Sequence, residues 1–325
     1  MALTFSELEA ITLDYFKADN KRAIDVYFNT SFLLKYLMDQ KKGLWERPDG
    51  GARVRVPLEY DGQEGGFYNR AGSLSSDDKT SLNSAYYYLK HAYGNATVYR
   101  TDELSCTGPY EEVQLAVSKL DGAQKTATRF IAQNIYSTAA DTADELTGIG
   151  AMTQAAVTVA YGGIIPNDLV SSDGSRPWDA QVTTTTEGIS LAVIRTLASL
   201  AKVTDGAEGK PNVGVCPETL FNIIAGILQV QQRFQQQNES VDAGFTNLVF
   251  ENKVIAADDF CQSGTLYLLN TKYVGFAIHK QGFFARTPWA DLLVAGLAAK
   301  SMKIFWDGNL ICSRRRAHAA HTNLS

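Results

Sequence analysis

The stretch Ala52-Arg53-Val54-Arg55-Val56-Pro57-Leu58-Glu59-Tyr60 decides how the first third of this chain is built. Arg53, Arg55 and Glu59 fall on one side of a period-two alternation, and Val54, Val56, Leu58 and Tyr60 on the other, which is the pattern of a strand. Pro57 lacks the N–H that a ladder needs, so the strand belongs to a sheet edge or a free ribbon. Asp61-Gly62-Gln63-Glu64-Gly65-Gly66 follows as a glycine-rich turn. The tyrosine-rich segment from about Lys79 to Arg100 then reads as one long return strand. Strands of compact domains peak near about 5–6 residues. The expectation is therefore a projecting ribbon whose apolar side docks on a neighbouring subunit, with a surface hairpin as the alternative.

Working outward from the ribbon, residues 7–42 read as a mainly polar, partly helical arm, with Phe28, Phe32, Leu33, Tyr36 and Leu37 at helical spacing. Gly50-Gly51 ends it. On the other side, Gly108 sits at an N-cap position, Pro109 at the first helical position, and Glu111 and Glu112 face the positive end of the helix dipole. Val113, Val117, Leu120, Ala127, Ile131 and Ile135 form one apolar stripe, so residues 109–136 predict a helix about 42 Å long at about 1.5 Å per residue.

Beyond it, residues 137–188 are loop-rich and acidic. Thr183–Thr186 favours extended structure and the N-cap of a helix over Glu187–Lys202. Val213–Cys216 is a short buried strand, and Pro217 opens a helix to about Gln236 that ends in a glutamine-rich tract, 229–237. Strands at 247–256 and 265–280 complete a second α/β unit. Ser301–Trp306 and Leu310–His321 flank Asp307-Gly308-Asn309, a hairpin-turn signal.

Composition bounds the function. The chain has 325 residues, 45% hydrophobic and 20% charged, enough for a large core and about two domains. Its net charge of −5 argues against a protein built mainly to grip nucleic acid, although residues 300–325 carry +4. Cys106, Cys216, Cys261 and Cys312 are far apart and read as reduced, mostly buried thiols of a cytoplasmic product. The N-terminus has acids where a signal peptide needs bases, and no apolar run approaches the roughly 20 residues of a membrane span.

The chemistry-bearing motifs are missing. Gly206–Pro211 has the wrong spacing for a phosphate loop, and Gly148-Ile149-Gly150 lacks the third glycine of a dinucleotide turn. Neither GxSxG nor HExxH occurs. His91 and His279 lie in strand-like segments and read as packed or half-exposed. His318 and His321 on a strand would point to opposite faces. Glu111-Glu112 and Asp258-Asp259 read as a helix N-terminus and a solvated loop. No catalytic residue, metal ligand or cofactor site is nominated, and the chain is not read as an enzyme.

In its order of polar arm, glycine-tipped ribbon, spine helix, inserted α/β unit and closing strands, the chain resembles the major capsid protein of tailed bacteriophages. Arg53–Tyr60 looks like the first strand of that family's E-loop, Gly108–Tyr136 like its spine helix, and Val215–Phe221 like the strand-to-helix junction of the axial (A) domain. Asp307–Leu310, Arg314–His318 and Thr322-Asn323 look like closing strands of the peripheral (P) domain. The resemblance implies an α+β fold with the N-terminal arm at 1–50 and the E-loop at 51–85. The P domain would span 86–187 and 290–325, with the spine helix at 109–136, and the A domain 188–289.

It also implies a structural protein of the virion, self-assembling as hexamers and pentamers into an icosahedral shell around packaged double-stranded DNA. Portal and scaffolding proteins, and in some members decoration proteins, would be its partners; no membrane or cofactor is implied. On this reading Phe28, Phe32, Arg53, Arg55, Glu59, Arg70, Gln235 and Gln236 lie at subunit contacts. Arg314, Arg315 and Arg316 pair with acids within or between subunits, or face DNA. The ribbon tip has no lysine and Lys79 lies well past it, so isopeptide crosslinking between subunits is not expected. The arm begins close to Met1, which favours a separate scaffolding protein. The alternatives are an encapsulin-like nanocompartment shell and an unrelated enzyme or ligand-binding protein.

Overall fold

The computed structural model describes residues 7–8, 10, 31–38, 44–62, 67, 70, 81–106, 109–172, 174–203, 209–231, 247–293 and 296–325. In chain order its elements are helix α1 (Phe32–Met38), strands β1 (Leu44–Glu46), β2 (Arg53–Glu59), β3 (Leu82–Tyr88) and β4 (Lys90–Tyr99), then helices α2 (Arg100–Ser105), α3 (Pro109–Asn134) and α4 (Ile149–Met152). Strand β5 (Gln181–Thr183), helix α5 (Leu191–Leu200), strand β6 (Val213–Cys216) and helix α6 (Glu218–Gln231) follow. Strands β7 (Asn247–Phe250), β8 (Lys253–Ala257), β9 (Leu266–Leu269), β10 (Val274–Ile278), β11 (Ala285–Arg286), β12 (Ala290–Asp291), β13 (Ala299–Cys312) and β14 (Ala319–His321) complete the chain. The architecture is α+β, as read.

Two six-stranded sheets and one ribbon organise these elements. The first sheet runs β1-β10-β13-β11, with β12 and β4 also paired to β13; the second runs β5-β14-β9-β6-β8-β7; β2 and β3 pair alone. Helix α3 lies on one face of the first sheet. Its buried stripe is Ala116, Leu120, Ala123, Ala127, Ile131 and Ile135, with Val113 and Val117 only half-buried. Gly94 of β4 is what lets helix and sheet touch: a Cβ there would stand 2.2 Å from the Ala123 carbonyl oxygen. Helices α5 and α6 cover one face of the second sheet through Ile194, Leu197, Leu220 and Ile224, while Val215, Tyr267 and Leu269 on its other face join the main core.

Several sequence expectations are corrected. The long return segment is two strands separated at Leu89: β3 pairs with β2, whereas β4 pairs along β13 from Ala299↔Tyr99 to Gly308↔Lys90. Asp307-Gly308-Asn309 makes no turn, because β13 runs straight through it. Gly308 is there because a Cβ would meet the Ala277 carbonyl oxygen at 2.8 Å and the Trp306 ring at 2.9 Å. Asn309 is buried, donating to the Tyr88 carbonyl and accepting from the Thr147 N–H. The 247–256 segment is a hairpin instead of one strand, with Glu251 and Asn252 at φ 49° and 62°, a pair of left-handed residues that fits a tight hairpin turn. The 265–280 segment also divides, β9 joining the second sheet and β10 the first. Helix α5 begins at Leu191, and its N-cap is Ser190, which accepts from the Val193 N–H, in place of the threonine run.

The sheets therefore divide the chain differently from the expected boundaries. β10, inside 188–289, belongs to the first sheet, and β5 and β14, outside it, belong to the second. The Arg314–Arg316 segment crosses from one sheet to the other as a short 3-10 turn, where a strand was expected.

Candidate functional site

The base of the ribbon is anchored to its own chain. Strand β2 alternates as read, but Val54, Val56 and Leu58 are buried within this chain, so the expectation that their face docks on a neighbour is overturned for the described residues. Ala85 and Tyr87 of β3 complete that face. The Tyr86 N–H donates to the Gly162 carbonyl at 2.8 Å, and the Tyr87 hydroxyl donates to the Cys312 carbonyl at 2.7 Å. Gly162 and Gly163 have φ of 61° and 72°, the left-handed backbone that a Gly-Gly turn supplies without strain. At the ribbon end, Asp61 accepts from the Ser171 hydroxyl and from the Ser172 N–H and hydroxyl, and those bonds hold its carboxyl below the usual range.

The outward face of the ribbon carries the predicted charges. The Arg53 guanidinium lies 4.6 Å from the Tyr86 ring centroid, and Arg55 Nε donates to Ser84 Oγ at 2.8 Å. Both are exposed, as are Glu59 and Arg70. Leu82, opposite Glu59, is 70% exposed, an apolar side chain at the point where the ribbon leaves the body.

Beneath the ribbon is a node that the sequence concealed. Arg315, read as a strand charge facing acids or DNA, is 1% exposed. Its Nε donates to the Met152 carbonyl at 2.6 Å, one terminal nitrogen to Gln154 at 2.9 Å and Ala151 at 3.4 Å, and the other to Trp178 at 3.4 Å. Three of these carbonyls belong to the C-terminal end of α4, where unpaired acceptors and negative dipole collect. The guanidinium also stacks on Tyr161 at 5.3 Å. Burial lowers its pKa and raises those of Tyr87 and Tyr161 well above 10, so all three keep their neutral-pH protonation states. A guanidinium shared among backbone carbonyls ties the crossover between the sheets to the 151–154 and 178 segments.

A second joint holds the arm. Phe32, predicted at a subunit contact, is 1% exposed inside the chain's own core with Leu33, Leu34 and Leu37. Asp258, read as part of a solvated loop, is buried. It accepts from the Ser31 hydroxyl, the Leu33 N–H at 3.3 Å and the Phe260 N–H at 3.1 Å, capping α1 from the end of β8. Burial raises its pKa although these donors pull it down. Ser31 Oγ also caps the Leu34 N–H locally, whereas the carboxylate supplied from more than 200 positions away leaves no local signal.

The remaining expected sites divide as follows. Arg314 is half-buried against Tyr273 and Arg316 is exposed. Phe28, Gln235 and Gln236 lie outside the described residues, as does most of the ribbon tip. His91 is exposed and pairs with Asp307 at 2.6 Å. His318 is fully buried with Nδ1 accepting from the Asn270 N–H, and burial drives its pKa down to about 3. His321 faces Glu187 at 2.7 Å. Among the described residues no group of three or more His, Cys, Asp or Glu could hold a metal, and no helix is long and apolar enough to cross a membrane.

No protein-family profile matches the chain, and no curated protein does. Solved structures do. A subunit of the cyanophage A-1(L) capsid is 13% identical over 91% of this chain and 93% of that one, with a TM-score of 0.68. The capsid of a native GTA particle is 11% identical over 88% and 89%, with a TM-score of 0.58. The SrpI encapsulin complex of Synechococcus elongatus is 11% identical over 88% and 86%, with a TM-score of 0.51. The chain has the major capsid protein fold of tailed bacteriophages.

Proposed function

We propose that the chain is a structural shell protein that assembles as hexamers and pentamers into an icosahedral virion head around packaged double-stranded DNA. The observation that carries this reading is the match of fold along nearly the whole chain to capsid subunits. The first sheet, with α3, takes the part of the peripheral domain, and the second sheet, with α5 and α6, that of the axial domain. The exposed ribbon face of Arg53, Arg55, Glu59 and Arg70 then sets register between neighbours more than affinity. Portal and scaffolding proteins complete assembly in the host cytoplasm, and the chain performs no catalysis.

Electron microscopy of particles purified from producing cells tests this. DNA-containing icosahedra built of this chain are the expected result. Shells filled with protein would favour the encapsulin-like reading, which rests on a TM-score of 0.51 to an encapsulin. An absence of particles would overturn both.

A further inference from the structure

We infer that the outer edge of β4, together with the groove beside it, takes an added strand from a second copy of this chain. The backbone fixes which groups are free. The Arg100 N–H donates to the Ala298 carbonyl, one step past the ladder that pairs Tyr99 with Ala299. On the other side of β13, the carbonyls of Lys303 and Ala299 accept from the N–H groups of Thr287 and Leu292. Antiparallel bonding alternates along a strand, so β4 bonds β13 through its even-numbered residues. The N–H and C=O groups of His91, Tyr93, Asn95, Thr97 and Tyr99 point away from the sheet, and they find no partner among the described residues. Free edges are commonly blunted by proline, lysine or shortness. The same alternation puts Pro57 on the outer edge of β2. Ten-residue β4, in contrast, has no proline, and its one lysine, Lys90, is buried.

What lies beside that edge suits a strand. A groove of ≈ 440 Å³ between β4 and α3 is lined by Tyr93, Phe130, Ile131, Leu146 and Trp306. Phe130 is 50% exposed, and the buried Trp306 indole N–H has no partner. Alternate side chains of an added strand would point towards α3 and into this groove, so every second residue should be apolar. Lys90, His91, Asp144 and Glu145 also line it; their signs are mixed, so backbone and shape choose the occupant. That occupant is not a second β4. At Gly94 the α3 backbone stands directly over the edge strand. Pairing two β4 strands antiparallel would set them about 4.8 Å apart with both helices on one face, and helix axes need about 8–10 Å. The added strand therefore carries no helix of its own, and two copies meet through different surfaces. Contacts of that kind close into rings or run on as filaments. A second copy is the source because every subunit of the proposed shell is bordered by copies; the inference rests on that reading for this point alone.

The test uses the purified full-length protein, as free subunits and as the assemblies they form, with hydrogen exchange read along β4. In free subunits the amides of Ala92, Gly94, Ala96 and Val98 should exchange slowly and the five outward amides fast. In the assembled protein the outward set should slow by about tenfold or more. Asn95→Pro removes one outward N–H, so the melting temperature should hold while assembly fails. Phe130→Ser, which leaves the backbone alone, should weaken association about tenfold. Outward amides equally fast before and after assembly overturn the inference, as does normal assembly of both variants. Outward amides already slow in free subunits overturn it too, since the chain would then cover its own edge. Slowing in particles from producing cells, but not in those assembled from the pure chain, would assign the edge to another protein and refute the second copy. If wild type forms no particles yet associates with its outward amides protected, the shell reading falls and this inference stands.

Discussion

The two six-stranded sheets have the same number of strands and differ in how completely their faces are covered. The second is covered on both faces, by α5 and α6 on one side and the main core on the other, and β6, β9 and β14 are buried along their whole length. The first is covered unevenly: β10 and residues 308–312 of β13 are buried in the main core, whereas at β4 α3 covers one face only. Its other face presents His91, Tyr93, Asn95 and Tyr99 from β4 beside Lys303 and Phe305 from β13, with Tyr93 60% exposed and its ring 5.7 Å from the Lys303 ammonium. A sheet can leave one face in water if that face is polar enough, but two exposed tyrosines on a ten-residue strand are more apolar surface than solvation alone calls for. The difference separates two jobs: the second sheet and the β10 side of the first hold the subunit together, and the β4 face stays available for contact.

Five experiments would break or sharpen that contrast. The largest effect is expected at the joint. Arg315→Met removes the shared donor of four backbone carbonyls and should cost about 3–4 kcal/mol, read as a lower urea midpoint. A shift under about 0.5 kcal/mol would mean that these bonds do not hold the crossover in place. Gly94→Ala pushes α3 off the first sheet and should cost about 2–3 kcal/mol by the same measurement, with no compensating space because the obstacle is backbone.

Asp258→Ala removes the acceptor of the Leu33 N–H, leaving Ser31 Oγ on the Leu34 N–H, and should cost about 1–2 kcal/mol. Limited proteolysis should then cut within 31–38 faster than in wild type; an unchanged digestion pattern would show that packing and the Ser31 cap hold the helix without the carboxylate. His318 supplies a pH signature. Its folded pKa of about 3 lies below the ordinary 6.5, so the unfolded chain binds the extra proton in that window. Stability should fall with pH from about 6.5 towards about 3, by up to about 1.4 kcal/mol per unit. Asp141 and Asp258, whose pKa values burial raises above 3.8, act with the opposite sign. Comparing wild type with His318→Gln therefore isolates the imidazole, and parallel pH profiles would disprove the assignment. The smallest effect on stability belongs to the bare face: Tyr93→Ser with Tyr99→Ser should shift the midpoint by no more than about 0.5 kcal/mol. Particle yield should nevertheless collapse, and normal yield would show that the face is not a contact.

How much was legible in advance varies with the range of the interaction. The helix at Pro109–Asn134 and the alternation at Arg53–Glu59 were readable because period and terminal residues are local properties. The hairpin expected at Asp307–Asn309 failed because the same letters serve a different need: Gly308 clears Ala277 and Trp306, and Asn309 bonds across to Tyr88 and Thr147. Turn propensity is weaker than a neighbouring strand that supplies partners on both sides. Of the expected site residues, Arg53, Arg55, Glu59, Arg70 and Arg316 are at the surface, while Phe32 and Arg315 are inside. No sequence pattern distinguishes Arg315 from the arginines either side of it, because what draws it inward is the set of carbonyls at 151, 152, 154 and 178.

By itself, then, the sequence determined the periodic elements, their order, and through that order the resemblance to a capsid subunit. Those follow from repeat lengths of two and 3.6 residues, which need no partner. Only the tertiary structure decided which sheet each strand joins, which arginine is buried, which carboxylate caps the arm, and which face stays bare. Each of those depends on whether a group finds hydrogen-bond partners or packed surface from a distant segment, and that balance of desolvation against new contacts exists only once the segments have met.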